Sequence, residues 1–313
     1  MGTPEFAVAS LHVLYKNGYD IAAVITVPDK PAGRGQQVQQ SPVKKYALDK
    51  NIKVLQPEKL KDEKFISELR SLNANLQVVV AFRMLPEIVW NMPEIGTFNL
   101  HGSLLPQYRG AAPINWAVMN GEKETGVSTF FLQHEIDTGK IIFRDKIQIG
   151  ENETVGEVHD RLMQTGAELV LKTVQSIENN NYSQTDQKEF IAPNEVLKSA
   201  PKIFKESCKI NWSNDINSIH NFIRGLSPYP AAWTELISPE GTTHNLKIFL
   251  TQKEMATHIH KTGSVISDGK TFLKIAVTAG FIGITELQLA GKKRMTTAEL
   301  LRGFKISEGW SVK

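Results

Sequence analysis

Cysteine is nearly absent from this sequence: Cys208 stands alone among 313 residues, which excludes an intramolecular disulfide framework and suits a reducing compartment. A lone thiol of this kind reads most simply as a small apolar filler. No apolar run is long enough to cross a bilayer, and no basic segment leads into a hydrophobic one at the N-terminus. Membrane association is therefore not expected, and a cytoplasmic location is. A myristoylation signal fails because position 6 is Phe6, where Ser or Thr is required. Internal repeats are missing, and no disorder class fits. With 41% hydrophobic and 22% charged residues the composition is that of an ordinary globular protein, and the length favours two domains with separate cores.

What is present is unevenly charged. Residues 201–313 hold 15 Lys and Arg against 9 Asp and Glu, a net +6, whereas residues 1–200 hold 21 against 24, a net −3. An excess of that size on the smaller part suits a polyanionic partner; a solvated basic face explains it equally well on charge alone.

Along the chain, the β-branched run at residues 21–27 predicts a strand, and Pro28-Asp29-Lys30-Pro31-Ala32-Gly33-Arg34-Gly35 a long loop. Ser41-Pro42 pairs an N-cap with proline at the first helical position, which predicts a helix to about Asn51. Phe65, Leu69 and Leu72 mark another helix, followed by the apolar run 76–82. Strands then follow at 97–101, 126–132 and 140–143. The capping-box pattern of Thr154 and Glu157 opens a helix that places Val158, Leu162 and Leu169 on one face. Strands reading as continuous apolar runs between helices predict a Rossmann-like, mostly parallel sheet covered on both faces. The period ends after Ile177, so residues 1–180 are expected to form one domain and 181–200 a linker. In 201–313, a helix capped by Ser213 and closed by Gly225 precedes five short apolar runs. These start at Ala232, Leu246, Gly263, Phe272 and Ile282, and predict a small OB-like β-barrel.

Asn99 and His101 lie two residues apart in a predicted strand, so both face one side while Phe98 and Leu100 face packing. The strand ends at Gly102-Ser103, which puts His101 at the carboxyl edge of the sheet, where open α/β folds place ligands. A lone histidine there is usually structural; paired with Asn99 before an irregular glycine-rich segment it suggests chemistry. Without a serine or cysteine nucleophile or a metal cluster, this pair suits direct acyl transfer to an amine. An Asn amide and a protonated imidazole can stabilise the growing oxyanion, with a carboxylate holding the imidazole's charge. Asp137, in the Asp137-Thr138-Gly139 turn, is the candidate; spacing alone reads that turn as a hairpin loop.

Residues Phe98-Asn99-Leu100-His101-Gly102-Ser103-Leu104-Leu105-Pro106 and Tyr108-Arg109-Gly110-Ala111-Ala112-Pro113-Ile114-Asn115-Trp116-Ala117 resemble the signature of the 10-formyltetrahydrofolate-dependent formyltransferases. That resemblance implies Asn99, His101 and Asp137 as the catalytic set. It implies 10-formyltetrahydrofolate as formyl donor, with no metal, held near Val80, Ala81, Phe82, Leu85, Pro86, Ser103, Leu104, Leu105 and Pro106. Three further stretches resemble the family's tRNA-acting members: residues 2–7, the loop from Pro28 to Gly35 continuing into Ser41-Pro42-Val43-Lys44, and 289–301. They imply methionyl initiator tRNA as acceptor and a monomeric enzyme. The Gly33-Arg34-Gly35 loop would meet the tRNA's acceptor end and residues 201–313 would bind its backbone. Lys30, Arg34, Lys44 and Lys45 form one basic cluster for phosphates and Lys292, Lys293 and Arg294 a second; either would also serve as a solvated face. Gly33-x-Gly35 lacks the Gly-Lys-Ser/Thr ending of a nucleotide phosphate loop and the full dinucleotide pattern.

Two departures from the family follow. Its members place a strand before the Gly2-Thr3-Pro4 loop, so a first strand is expected to be missing here, with a start assigned too late as the explanation. Phe82-Arg83-Met84 stands where a smaller residue after the aromatic is more familiar. Other readings share Asn99, His101 and Asp137: a small-molecule formyltransferase, or the hydrolase module of a formyl-folate dehydrogenase. A nucleic-acid-binding protein with a catalytically silent α/β domain is the reading from another class.

Overall fold

Local sequence explains most of the elements in the computed structural model, which describes residues 1–32 and 37–313. Helix α1 (Glu5–Lys16) packs Phe6, Ala7 and Leu14 inward and precedes strand β1 (Val24–Ile25). Helix α2 (Pro42–Asp49) begins as expected: the Ser41 side chain accepts from the Lys44 N–H, with proline in the first turn. Strand β2 (Val54–Leu55) pairs in parallel with β1. Helix α3 (Glu63–Ser71), capped by Asp62, buries Phe65, Ile66 and Leu69. Strand β3 (Leu76–Val80) stops at Ala81, whose φ of 47° lies outside the range of any ordinary strand residue.

 That left-handed φ of 47° at Ala81 turns the chain out of the sheet, so the apolar run ends two residues sooner than its sequence suggests. After the short helix α4 (Glu87–Trp90), strand β4 (Gly96–His101) runs parallel to β3. Helix α5 (Pro113–Met119) intervenes before strand β5 (Glu124–Phe131), which is antiparallel to β4. Strand β6 (Ile141–Gln148) completes a four-stranded sheet in the order β3-β4-β5-β6. Helix α6 (Val155–Glu178) carries the expected capping box, with the Thr154 N–H donating to Glu157 at 2.8 Å, and buries Val158, Leu162 and Leu169.

Met1 and Gly2 lie between β1 and β3. The Gly2 N–H donates to the Ile25 carbonyl (3.0 Å), the Val80 N–H donates to the Met1 carbonyl (2.9 Å), and the Met1 amine donates to Val78 (2.7 Å). Gly2 runs parallel to Val80, so these two residues stand where the expected first strand would run. A side chain on Gly2 would meet the Ala7 Cβ at 2.4 Å, which is why the chain can enter α1 this closely. Beside Met1 a groove of about 460 Å³ is lined by Ile21, Ala23, Leu72, Leu76 and Val78.

By internal contacts the chain forms two units: residues 1–110, 126–147 and 160–199, and residues 111–125, 148–159 and 200–313. Of residues 181–200, expected as a linker, 181–199 pack with the first unit and Ala200 with the second. Ile141 and Thr185 exchange both backbone hydrogen bonds at 2.9 Å, and Gln187 is 2% exposed.

In the second unit, helix α7 (Ile216–Gly225) is capped by Asp215, whose carboxylate accepts from the Asn217 and Ser218 N–H groups, two residues beyond the expected Ser213. Strands β7 (Ala232–Ile237), β8 (Thr243–Met255), β9 (Val265–Ser267), β10 (Leu273–Val277) and β11 (Gly280–Leu289) cover the five predicted runs. Helix α8 (Thr297–Leu301) and strand β12 (Ser311–Val312) follow. The antiparallel order is β9-β10-β11-β8-β7-β12. Its two edges meet: the Val265 N–H donates to Trp310 (3.0 Å) and the Val312 N–H to Gly263 (2.8 Å), closing the OB-like barrel around Leu236, Ile248, Ile275 and Leu287.

Candidate active site

Strand β4 is central in its sheet, with Asn99 opposite Val79 on β3 and Phe130 on β5. Phe98 and Leu100 are 0% and 3% exposed, as the alternation requires, and His101 is 6% exposed at the strand's end. The His101 Nε2 lies 2.9 Å from the Tyr108 carbonyl oxygen. A carbonyl can only accept, so Nε2 carries the proton and Nδ1 is left to face the Asp137 Oδ2, 3.9 Å away. Protonation of Nδ1 turns that approach into an ion pair. The same Oδ2 accepts from the Gly110 N–H at 3.0 Å.

Tyr108 and Asp137 both adopt left-handed backbone conformations, with φ of 59° and 54°. Such conformations cost on the order of 1–3 kcal/mol at non-glycine residues and persist where surrounding contacts enforce them. At Asp137 the enforcement comes from Gln187, whose Nε2 donates to the carbonyls of Asp137 (2.8 Å) and Gly139 (2.9 Å). Gly139 tolerates no side chain, because a Cβ would lie 1.8 Å from the Phe131 carbonyl oxygen. The turn therefore does more than join two strands: it presents a carboxylate to the end of β4.

Sequence reasoning missed Gln187 and gave Tyr108, Arg109 and Gly110 no role of their own. Gln187 lies in a polar tract without period, and its partners are 48 to 78 residues away in sequence, so no local pattern marks it. The turn-prone composition around Tyr108 and Gly110 was the one available signal.

The expected folate residues divide by burial. Val80, Leu85, Ser103 and Leu105 are buried, as is Pro106, while Ala81 is exposed and Phe82, Pro86 and Leu104 are half-buried. Ser103 and Leu105 have structural duties: the Ser103 hydroxyl donates to Gln107, and Leu105 packs on Phe130 and Ile141. Leu85 and Pro86 line an open cavity of about 1090 Å³ with Leu60, Ile66, Met84 and Ile88; Lys61 and Arg70 also line it.

Of the expected tRNA residues, Lys30 and Lys45 are exposed. Arg34 lies outside the described residues. Lys44 pairs with Asp29 at 2.5 Å and holds that carboxyl below its usual pKa. Lys292 and Lys293 are exposed, whereas Arg294 is engaged by Glu286 and lies 4.4 Å over the Phe249 ring. Among the described residues no group of three or more His, Cys, Asp and Glu side chains is arranged to hold a metal ion, and no helix is long and apolar enough to cross a membrane.

Residues 1–174 match the family described as formyl transferase, and residues 202–305 match the formyl transferase C-terminal domain. The chain is 57% identical over 312 residues to a methionyl-tRNA formyltransferase of Bacteroides thetaiotaomicron, covering all of this chain and 97% of that one. It is 53% identical over 308 residues to the methionyl-tRNA formyltransferase of Flavobacterium johnsoniae, covering 98% and 96%. In fold it is similar to WlaRD, a sugar 3N-formyl transferase solved with dTDP and 5-N-formyl-THF, at TM-score 0.62 and 24% identity over 93% of this chain and 97% of that one. An N-formyltransferase of Helicobacter canadensis, in complex with folinic acid and dTDP-3-aminofucose, gives TM-score 0.61 at 22% identity over 94% and 97%.

Proposed function

The chain belongs to the formyl transferase family, and from that premise we propose how its own residues transfer the formyl group of 10-formyltetrahydrofolate to the amino group of methionyl initiator tRNA. The observation that carries the mechanism is the fixed imidazole of His101, between the Tyr108 carbonyl and the Asp137 carboxylate. The amine attacks the formyl carbon, and negative charge grows on the former carbonyl oxygen. The Asn99 amide and the protonated His101 ring stabilise that charge, which exists only in the transition state and intermediate. Asp137 balances the imidazolium and helps carry the proton lost by the amine. As the intermediate collapses, the carbon–N10 bond of the folate breaks and N10 takes up a proton. The new carbon–nitrogen bond remains on the aminoacyl group.

The folate is proposed to lie against residues 80–86 and 103–106, with Leu85 and Pro86 at the open cavity as support. Exposed Lys30, Lys45, Lys292 and Lys293 would meet tRNA phosphates as mobile point charges. Asn99, His101 and Asp137 all belong to one unit of one chain, which favours a monomer as the working form. The substrates, charged tRNA and a reduced folate, suit the cytoplasm.

The test is formylation of charged initiator tRNA by the purified chain and by its His101→Ala and Asn99→Ala variants. Each variant should lose about 10² to 10³ in kcat, the range for one oxyanion donor or one acid–base group, with affinity for the formyl donor retained. Near-normal turnover in either would remove that residue from the mechanism.

A further inference from the structure

Three consecutive residues, Tyr108, Arg109 and Gly110, reach three different parts of the site. Tyr108 accepts from His101 and the Gly110 N–H donates to Asp137. Arg109 directs its guanidinium elsewhere, donating from Nε (3.0 Å) and Nη2 (2.6 Å) to the Oε1 of Gln187. The Gln187 amide uses its two hydrogens on the carbonyls of Asp137 and Gly139, so both ends of the group are fully engaged. Its orientation is fixed by these partners. A flipped amide would set its oxygen against two carbonyl oxygens and its NH2 against the guanidinium.

We infer that Gln187 is a positioning residue for formyl transfer, a buried clasp that holds the Asp137 turn against the Tyr108-Arg109-Gly110 segment so that the carboxylate faces His101. The inference rests on the functional reading above, in which Asp137 works through His101. Gln187 is well suited to such a task. It is 2% exposed, so its hydrogen bonds are not in competition with solvent, and it is anchored from both sides in sequence. Thr185 pairs with Ile141, and Asp186 caps the short helix Gln187–Phe190 through the Lys188 N–H. Arg144 secures the far end of that helix, lying 3.7 Å over the Phe190 ring while donating to the Leu105 carbonyl. The clasp acts on the backbone of Asp137, leaving the carboxylate to the Gly110 N–H and His101. Losing it frees a residue held in a left-handed conformation to relax toward ordinary backbone angles, which turns the carboxylate away from the ring.

The experiment uses the full chain and two variants. Gln187→Glu keeps an acceptor for Arg109 but loses both donors to the turn, and Gln187→Asn keeps the amide but shortens its reach. Hydrogen exchange at the Gly110 amide reports whether Asp137 still sits in place, without any substrate. Initial rates separate kcat from KM, and thermal melting reports global stability. The expected result for both variants is Gly110 exchange faster by about tenfold or more and kcat lower by about 10- to 10²-fold, as for a displaced reacting group. KM for the formyl donor should stay within about twofold. Unchanged Gly110 protection and kcat in either folded variant would overturn the inference, as would a loss confined to melting temperature. Failure of the functional reading looks different: the unmodified chain itself would not formylate charged tRNA, while the exchange result would still answer whether Gln187 holds the turn.

Discussion

The His101 ring has little freedom, because its neighbours fix it. One ring nitrogen is committed to the Tyr108 carbonyl, so the other faces Asp137, the direction in which the proposed mechanism has it pass a proton. Asp137→Asn would preserve an acceptor for the Gly110 N–H while removing the charge opposite Nδ1. A fall in kcat of about 10²-fold with little change in melting temperature is expected, and equal turnover would show that only shape matters there. Another buried histidine, His220, shows what burial does to a titrating ring. His220 donates to or accepts from Thr251 at 2.9 Å, and burial, followed by the charges of Lys253 and Arg224, lowers its pKa to about 4, against a smaller opposing effect of Glu151. Between pH 6.5 and 4 the unfolded chain therefore binds the proton that the folded chain refuses, so stability falls as pH falls through that window. The loss is limited to about 3 kcal/mol. His220→Gln should flatten this part of a melting-temperature-against-pH curve, and an unaltered acid limb would mean that other groups cause it. The placing of Asn99 and His101 in one strand, two residues apart, was legible in the sequence from its alternation; their roles are proposed. Gln187 was not, since what defines it is a set of partners far away along the chain.

Elements that begin or end on a local device were read well, and those bounded by tertiary contact were not. Ser41-Pro42 and the Thr154–Glu157 capping box start α2 and α6 where they should. For α7 two capping residues competed two positions apart, and Asp215 won by accepting two backbone N–H groups. Strand β6 runs to Gln148, five residues past its expected end, because its outer half is exposed and has no apolar run to mark it. The edge between β1 and β3 carries a testable consequence. Gly2 runs parallel to Val80, so extended residues fused ahead of Met1 would continue beside Val78, Gln77 and Leu76 and fill the groove there. A β-branched apolar hexapeptide in that position should raise the melting temperature, at about 2–4 °C for each kcal/mol gained, and a Gly-Ser hexapeptide should not. Equal melting of the two fusions would mean that the groove does not accept a strand.

Across the whole molecule the two ends of the sequence carry opposite charge, −3 over residues 1–200 and +6 over 201–313. That excess is not all available to a polyanion. Lys209, Lys253, Lys274 and Arg294 are paired with Glu235, Glu151, Glu254 and Glu286, and Arg224 is buried with its guanidinium donating to the Gly150 and Glu153 carbonyls. Lys292 and Lys293 project from the turn after β11 and are exposed. Charge counting on the sequence treats residues 292–294 as one patch; the structure divides it, because Arg294 is spent on Glu286 and the Phe249 ring. The replacements should separate accordingly. Lys292→Ala with Lys293→Ala should weaken tRNA binding and make log affinity fall less steeply with log salt. The slope should change by about 1 to 2, since each phosphate contact contributes somewhat less than one counterion. KM for the formyl donor should not move, because the loss is electrostatic and confined to the acceptor. Arg294→Ala should instead lower the melting temperature of the barrel while changing the salt slope little. If the lysine pair left the slope intact, phosphate contacts would have to come from Lys30, Lys45 and other basic residues, and the charge asymmetry of the chain would serve solubility rather than recognition.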